Sequence, residues 1–65
     1  DYKKFVKDNF EYVGENFTFK ARSIHYDKKK PKKGIYGSAS LKDIQELREE
    51  GIDTDIIPWI DEDKN

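Results

Sequence analysis

The sequence predicts a small single domain of the α+β class, and three patterns predict it. Tyr2, Phe5, Val6, Phe10 and Val13 recur at helical spacing. Residues 17–26 alternate as a strand does and lead through a lysine-rich loop to a second short apolar segment. Ser40 with Asp43 opens an amphipathic stretch that closes at Gly51.

The N-terminal stripe advances by three, one, four and three positions, which places its members on one side of a helix. A rival reading turns Phe10–Val13 into a strand that reverses at Gly14-Glu15-Asn16, because its aromatic and β-branched content suits a pleated surface. Both readings stay open on the sequence alone. In residues 17–26, Phe17, Phe19, Ala21 and Ser23 would face one side, with Thr18, Lys20, Arg22, Ile24 and Tyr26 on the other. The apolar side changes after Ala21, so a bulge or a second covering layer is expected there. Asp27 to Gly34 reads as the exposed tip of a β-hairpin, since five lysines and Pro31 resist packing. Gly34 to Ala39 supplies the return strand, and Gly37 inside it marks a bulge or the close approach of another backbone.

Ser40 is a helix N-cap with an acidic residue three positions on, an imperfect capping box. Leu41, Ile44 and Leu47 then share one face, and Gly51 ends the helix. Residues 52–60 are the last apolar segment, and within it Ile56-Ile57-Pro58-Trp59-Ile60 has strand-like composition, with Pro58 confining it to an edge or a bulge as the closing strand. Asp61–Asn65 is expected to be a frayed acidic tail.

A chain of 65 residues buries a small share of its surface, so its stability is thin without a disulfide or a metal. It has no cysteine and one histidine, His25, which argues against a disulfide framework and a structural zinc site; no cofactor and no metal are expected. At 34% hydrophobic and 42% charged the composition leans toward disorder, while 14% aromatic content argues for a thin core. No apolar run approaches the roughly 18 residues of a membrane span, and no signal segment opens the chain. The expected location is therefore cytoplasmic, either as it stands or as a soluble piece of a longer chain. Lysine, isoleucine and tyrosine usage with few alanines suggests an AT-rich genome, and with it a phage or mobile-element inhibitor of a host protein.

Net charge is only −1, but its distribution is uneven. Lys20, Arg22 and Lys28, Lys29, Lys30, Lys32 and Lys33 crowd the middle; Glu46, Glu49, Glu50, Asp53, Asp55, Asp61, Glu62 and Asp63 load the last third. A dipolar surface steers partners without selecting nucleic acid.

Phe17-Thr18-Phe19-Lys20-Ala21, a polar hairpin, Gly34, Ser40, Leu47-Arg48-Glu49-Glu50-Gly51-Ile52 and a final apolar strand together resemble a known pattern. It is that of the N-terminal cytoplasmic segment of type II secretion and type IV pilus inner-membrane platform proteins, over residues 17–60. The resemblance implies a docking segment near an assembly machinery.

Catalysis needs a nucleophile, acid or base with positioned partners. Ser23, Ser38 and Ser40 have structural explanations, His25 stands alone, and Glu46 with Glu50 lacks a second ligand cluster, so the chain reads as non-enzymatic. The primary expectation is a protein-binding module; Ile56, Ile57, Trp59 and Ile60 suit core packing of the last strand first and a partner-facing anchor second, since tryptophan is enriched at interface hot spots. The lysine loop reads first as a solvated loop that keeps the hairpin from aggregating; the competing functional expectation is nucleic-acid binding, in which Lys28, Lys29, Lys30, Lys32 and Lys33 would meet phosphates with Arg22, Tyr26 and Tyr36 extending the surface, and an acidic protein partner is the third reading of the same residues. A sequence pI near 5.8 weighs against nucleic-acid binding. A homodimer paired through an edge strand is a further possibility.

Overall fold

A computed structural model describes residues 1–57 of the chain. Trp59 and Ile60 of the expected anchor, and the expected tail Asp61–Asn65, lie outside the described residues. The order of elements is α1 (Tyr2–Asn9), β1 (Phe10–Gly14), α2 (Phe17–Tyr26), β2 (Gly34–Gly37) and α3 (Leu41–Glu49), an α+β arrangement.

The N-terminal stripe divides between its two readings. Asp1 caps α1 by accepting from Lys4 N at 2.9 Å, Lys4 bonds Asp8 one turn on, also at 2.9 Å, and Val6 turns inward. At Phe10 the backbone becomes extended, with φ −128° and ψ 153°, and Phe10-Glu11-Tyr12-Val13-Gly14 is a strand. Gly14, at φ +58°, starts the turn that Asn16 N closes on Val13 O at 3.1 Å.

Beyond that turn the chain is helical. The expected strand over residues 17–26 is α2, and the change of face after Ala21 is a helical period: Phe17, Ala21 and Ile24 lie inward while Phe19 is exposed. The expected β-hairpin is therefore absent. Gly34–Gly37 is a strand, but it pairs with β1 in parallel, through Phe10↔Gly34, Glu11↔Ile35 and Tyr12↔Tyr36. Parallel neighbours need a crossover, and α2 with the lysine loop is that crossover. The ladder slips between Tyr12 and Gly14, and Gly37 comes so close to the partner strand that a Cβ there would run into the Gly14 carbonyl oxygen and stand 3.0 Å from its nitrogen. The close backbone approach expected at Gly37 is present, whereas the bulge lies across the ladder on β1, where Val13 is the extra residue between Tyr12 and Gly14.

α3 obeys its sequence signals. Ser40 Oγ accepts from Asp43 N at 3.0 Å, and the Asp43 carboxylate accepts from Thr18 Oγ1 at 3.3 Å instead of reaching back to the cap. At the other end Gly51 adopts φ +87°, Gly51 N donates to Arg48 O at 3.0 Å, and Ile52 N donates to Leu47 O at 2.9 Å. This is a Schellman closure, and its usual apolar contact is made by Leu47 and Ile52. With Ala21 they form the buried cluster, against which Phe17 and Ile35 pack. Residues 52–57 are irregular, so Ile56 and Ile57, the described part of the expected closing strand, are not in a strand. Pro58 and the residues after it lie outside the described set.

Leu47 is completely buried, whereas Leu41, on the same helix, is 77% exposed. Leu47→Ala is expected to cost about 2–5 kcal/mol by urea denaturation, and Leu41→Ala under about 0.5 kcal/mol. Equal effects would contradict this account of the core.

Candidate functional site

Three surface features stand out. The first is an open apolar trough of about 890 Å³ that draws its lining from every element. Phe5 and Phe10 contribute from α1 and β1, Ile35 from β2, Leu41 and Ile44 from α3, and Ile56 and Ile57 from the segment after it. The Phe5 and Phe10 rings meet edge to face at 6.5 Å. Phe5, Leu41 and Ile56 remain 56%, 77% and 78% exposed, which is unusual for side chains of this size. Of the expected anchor, Ile56 and Ile57 thus belong to the trough.

The second feature joins α2 to α3. Arg22 Nε donates to Glu50 Oε1 and Oε2 at 3.0 and 3.2 Å, and Nη2 donates to Glu50 Oε2 at 2.8 Å and to Glu46 Oε1 at 3.2 Å. Tyr26 Oη donates to Glu50 Oε1 at 2.8 Å. Arg22 and Tyr26 are one turn apart on α2, and Glu46 and the α3 C-cap Glu50 one turn apart at the end of α3, so the two pairs face each other as rungs. The Arg22 fork, then the Tyr26 hydroxyl, hold the Glu50 carboxyl below its ordinary range. Glu50 in turn raises the Tyr26 phenol and the Arg22 guanidinium above theirs.

The third feature is the lysine loop between α2 and β2. Lys28, Lys29, Lys30, Lys32 and Lys33 are all exposed. Lys29 N donates to Ile24 O at 3.0 Å while Lys28 takes φ +54°, so α2 also ends through a left-handed residue, here one with a side chain.

The residues expected to extend a nucleic-acid surface are therefore otherwise engaged. Arg22 and Tyr26 bind the carboxylates at the end of α3, and the Tyr36 ring meets that of Tyr12 at a tilt of 54° with centroids 5.1 Å apart. His25 lies edge-on to Tyr26 at 4.9 Å and lines the trough. Among the described residues no group of three His, Cys, Asp or Glu side chains is placed to hold a metal, and no helix is long and apolar enough to cross a membrane. Sequence reasoning missed the clip because it read residues 17–26 as a strand; with a helix there, the matching spacings of Arg22/Tyr26 and Glu46/Glu50 announce it.

A family model described as Protein of unknown function (DUF1178) matches residues 1–62. The chain belongs to the DUF1178 family. No curated protein and no solved structure matches it. Membership overturns the resemblance to secretion and pilus platform segments: the family match takes in every residue that carried it and nothing points to such a segment. The structure supplies the physical reason, since Phe17-Thr18-Phe19-Lys20-Ala21 opens a helix and not a strand.

Two measurements check the geometry of this DUF1178 chain. Because the folded-state pKa of Glu50 is lowered, the clip's contribution is fully present above the unfolded value of about 4.3 and is lost as pH falls through the folded value. Because that of Tyr26 is raised, its contribution is present below about 10 and is lost as pH rises through the folded value. In urea titrations the stability gap between wild type and Glu50→Gln should therefore close on the acid side, and the gap to Tyr26→Phe on the alkaline side. Separately, Lys28→Gly should stabilise the fold by about 0.5–1 kcal/mol, since glycine occupies the left-handed region without the Cβ penalty. A loss of stability would mean that the Lys28 side chain is needed where it is.

Proposed function

We propose that this DUF1178 chain is a non-enzymatic protein-binding module that docks through the apolar trough. One observation carries the reading: Phe5, Leu41 and Ile56 are largely exposed and line the same trough as Phe10, Ile35 and Ile44. An apolar surface of this kind is costly to leave in water and marks interaction sites on small proteins. The lysine loop and the carboxylates of residues 53 and 55 orient what arrives, acting on encounter and register more than on affinity. An inhibitor of a host protein is one form that such a module takes, and composition is what suggests it.

Nucleic-acid binding through the loop lysines is the weaker reading, since Arg22 and Tyr26 already have partners within the chain. Affinity capture from a nuclease-treated bacterial lysate separates the two. A protein partner should be retained by a Lys28→Gln, Lys29→Gln, Lys30→Gln variant and lost, by at least about tenfold, with Phe5→Gln combined with Ile56→Gln. Recovery of nucleic acid by the wild type alone, falling steeply with salt, would overturn the docking reading.

A further inference from the structure

We infer that the trough is a self-association face: two copies of the chain pack trough to trough about a two-fold axis, the lysine loop of each against Asp53 and Asp55 of the other. Such a dimer rests on the docking reading and names its partner.

The charges around the trough select that partner. Among the described residues its lining holds two carboxylates, Asp53 and Asp55, both exposed, and no lysine or arginine. Yet Pro31 is also part of the lining, and it sits at the centre of the run Lys28-Lys29-Lys30-Pro31-Lys32-Lys33, whose five lysines are exposed. A uniformly basic partner seated on the apolar floor meets those lysines, and a uniformly acidic one meets the carboxylates; like charges brought together disfavour both. A surface with an apolar centre and both signs at its margin complements itself when turned through a two-fold rotation, which is what an isologous interface requires.

The core points the same way. The buried apolar residues among those described are Val6, Ala21, Leu47 and Ile52, whereas Tyr2, Phe5, Leu41 and Ile56 are large, exposed and line the trough. A second copy brings an apolar surface of matching extent, and a trough that receives its own twin needs no other ligand to be covered.

Sedimentation equilibrium of the 65-residue chain over roughly 1 μM to 1 mM tests this. The expected result is a monomer–dimer equilibrium that Phe5→Gln with Ile56→Gln weakens at least about tenfold. The loop reversal Lys28→Glu, Lys29→Glu, Lys30→Glu and the rim reversal Asp53→Lys, Asp55→Lys should each weaken it about tenfold, while their equimolar mixture associates to within about threefold of wild type. All these positions are exposed, so far-ultraviolet circular dichroism should stay unchanged and report that each variant folds.

A monomer throughout the range, a dimer indifferent to the trough substitutions, or charge reversals that fail to rescue each other would overturn the dimer. A monomer that still captures a foreign protein through Phe5 and Ile56 would sink the dimer and leave the docking reading standing; a monomer with no trough-dependent partner would sink both. A monomer whose trough takes up a hydrophobic dye only after Trp59→Ser would assign the trough to residues 58–60 of the same chain, and would also overturn the dimer.

Discussion

The contact between Leu47 and Ile52 at the end of α3 is the constraint on which the rest of the molecule depends. It is local in origin: Gly51 takes a left-handed backbone, two reversed hydrogen bonds close the helix, and the residue after the glycine folds back over the last turn. Its consequence is tertiary, since the pair is the floor on which Ala21, Phe17 and Ile35 pack. One closure thereby joins a helix end, the crossover helix and the second strand. It also aims the chain beyond Ile52, which is how Asp53, Asp55, Ile56 and Ile57 come to line the trough.

Outside that floor, α2 and α3 are joined a second time by the clip of Arg22 and Tyr26 on Glu46 and Glu50. Exposed ion pairs generally add little, but a guanidinium held on two carboxylates with a phenol sharing one of them is a network and fixes geometry better than a single pair. The Thr18–Asp43 bond is a further tie between the same helices. The clip also divides the positive charge of the middle of the chain into two kinds. Arg22 is consumed by the fold, while the loop lysines make no ion pair among the described residues. Charge counted along the sequence therefore overstates the basic surface that a partner meets.

How much of this the sequence discloses depends on how local each signal is. α3 is legible from end to end, because its cap at Ser40, its apolar face and its stop at Gly51 all act within a few residues. The N-terminal stretch supports two readings because it contains two elements, and the boundary at Phe10 is where aromatic and β-branched content overtakes the helical stripe. Residues 17–26 mislead for a different reason: in so short a window Phe17, Phe19 and Ala21 fit a two-residue period, while Phe17, Ala21 and Ile24 fit a helical one. The tie is broken by long-range demands, namely that β1 and β2 run parallel and that Ala21 must reach Leu47. The trough is the least legible feature. Ile56 and Ile57 stand out in sequence, but Phe5, Ile35 and Leu41 come to it from segments whose proximity only the fold creates.

The charge balance bears on why an apolar trough is tolerable in this chain. A net charge of −1 provides almost no general repulsion between copies, so what one copy meets in another depends on where the charges stand. With both signs beside the apolar lining, an encounter that sets lysine against lysine or carboxylate against carboxylate is disfavoured, and one that sets the loop of one copy against the carboxylates of the other is favoured. In the proposed dimer the charges thus choose the register and the apolar lining supplies the affinity.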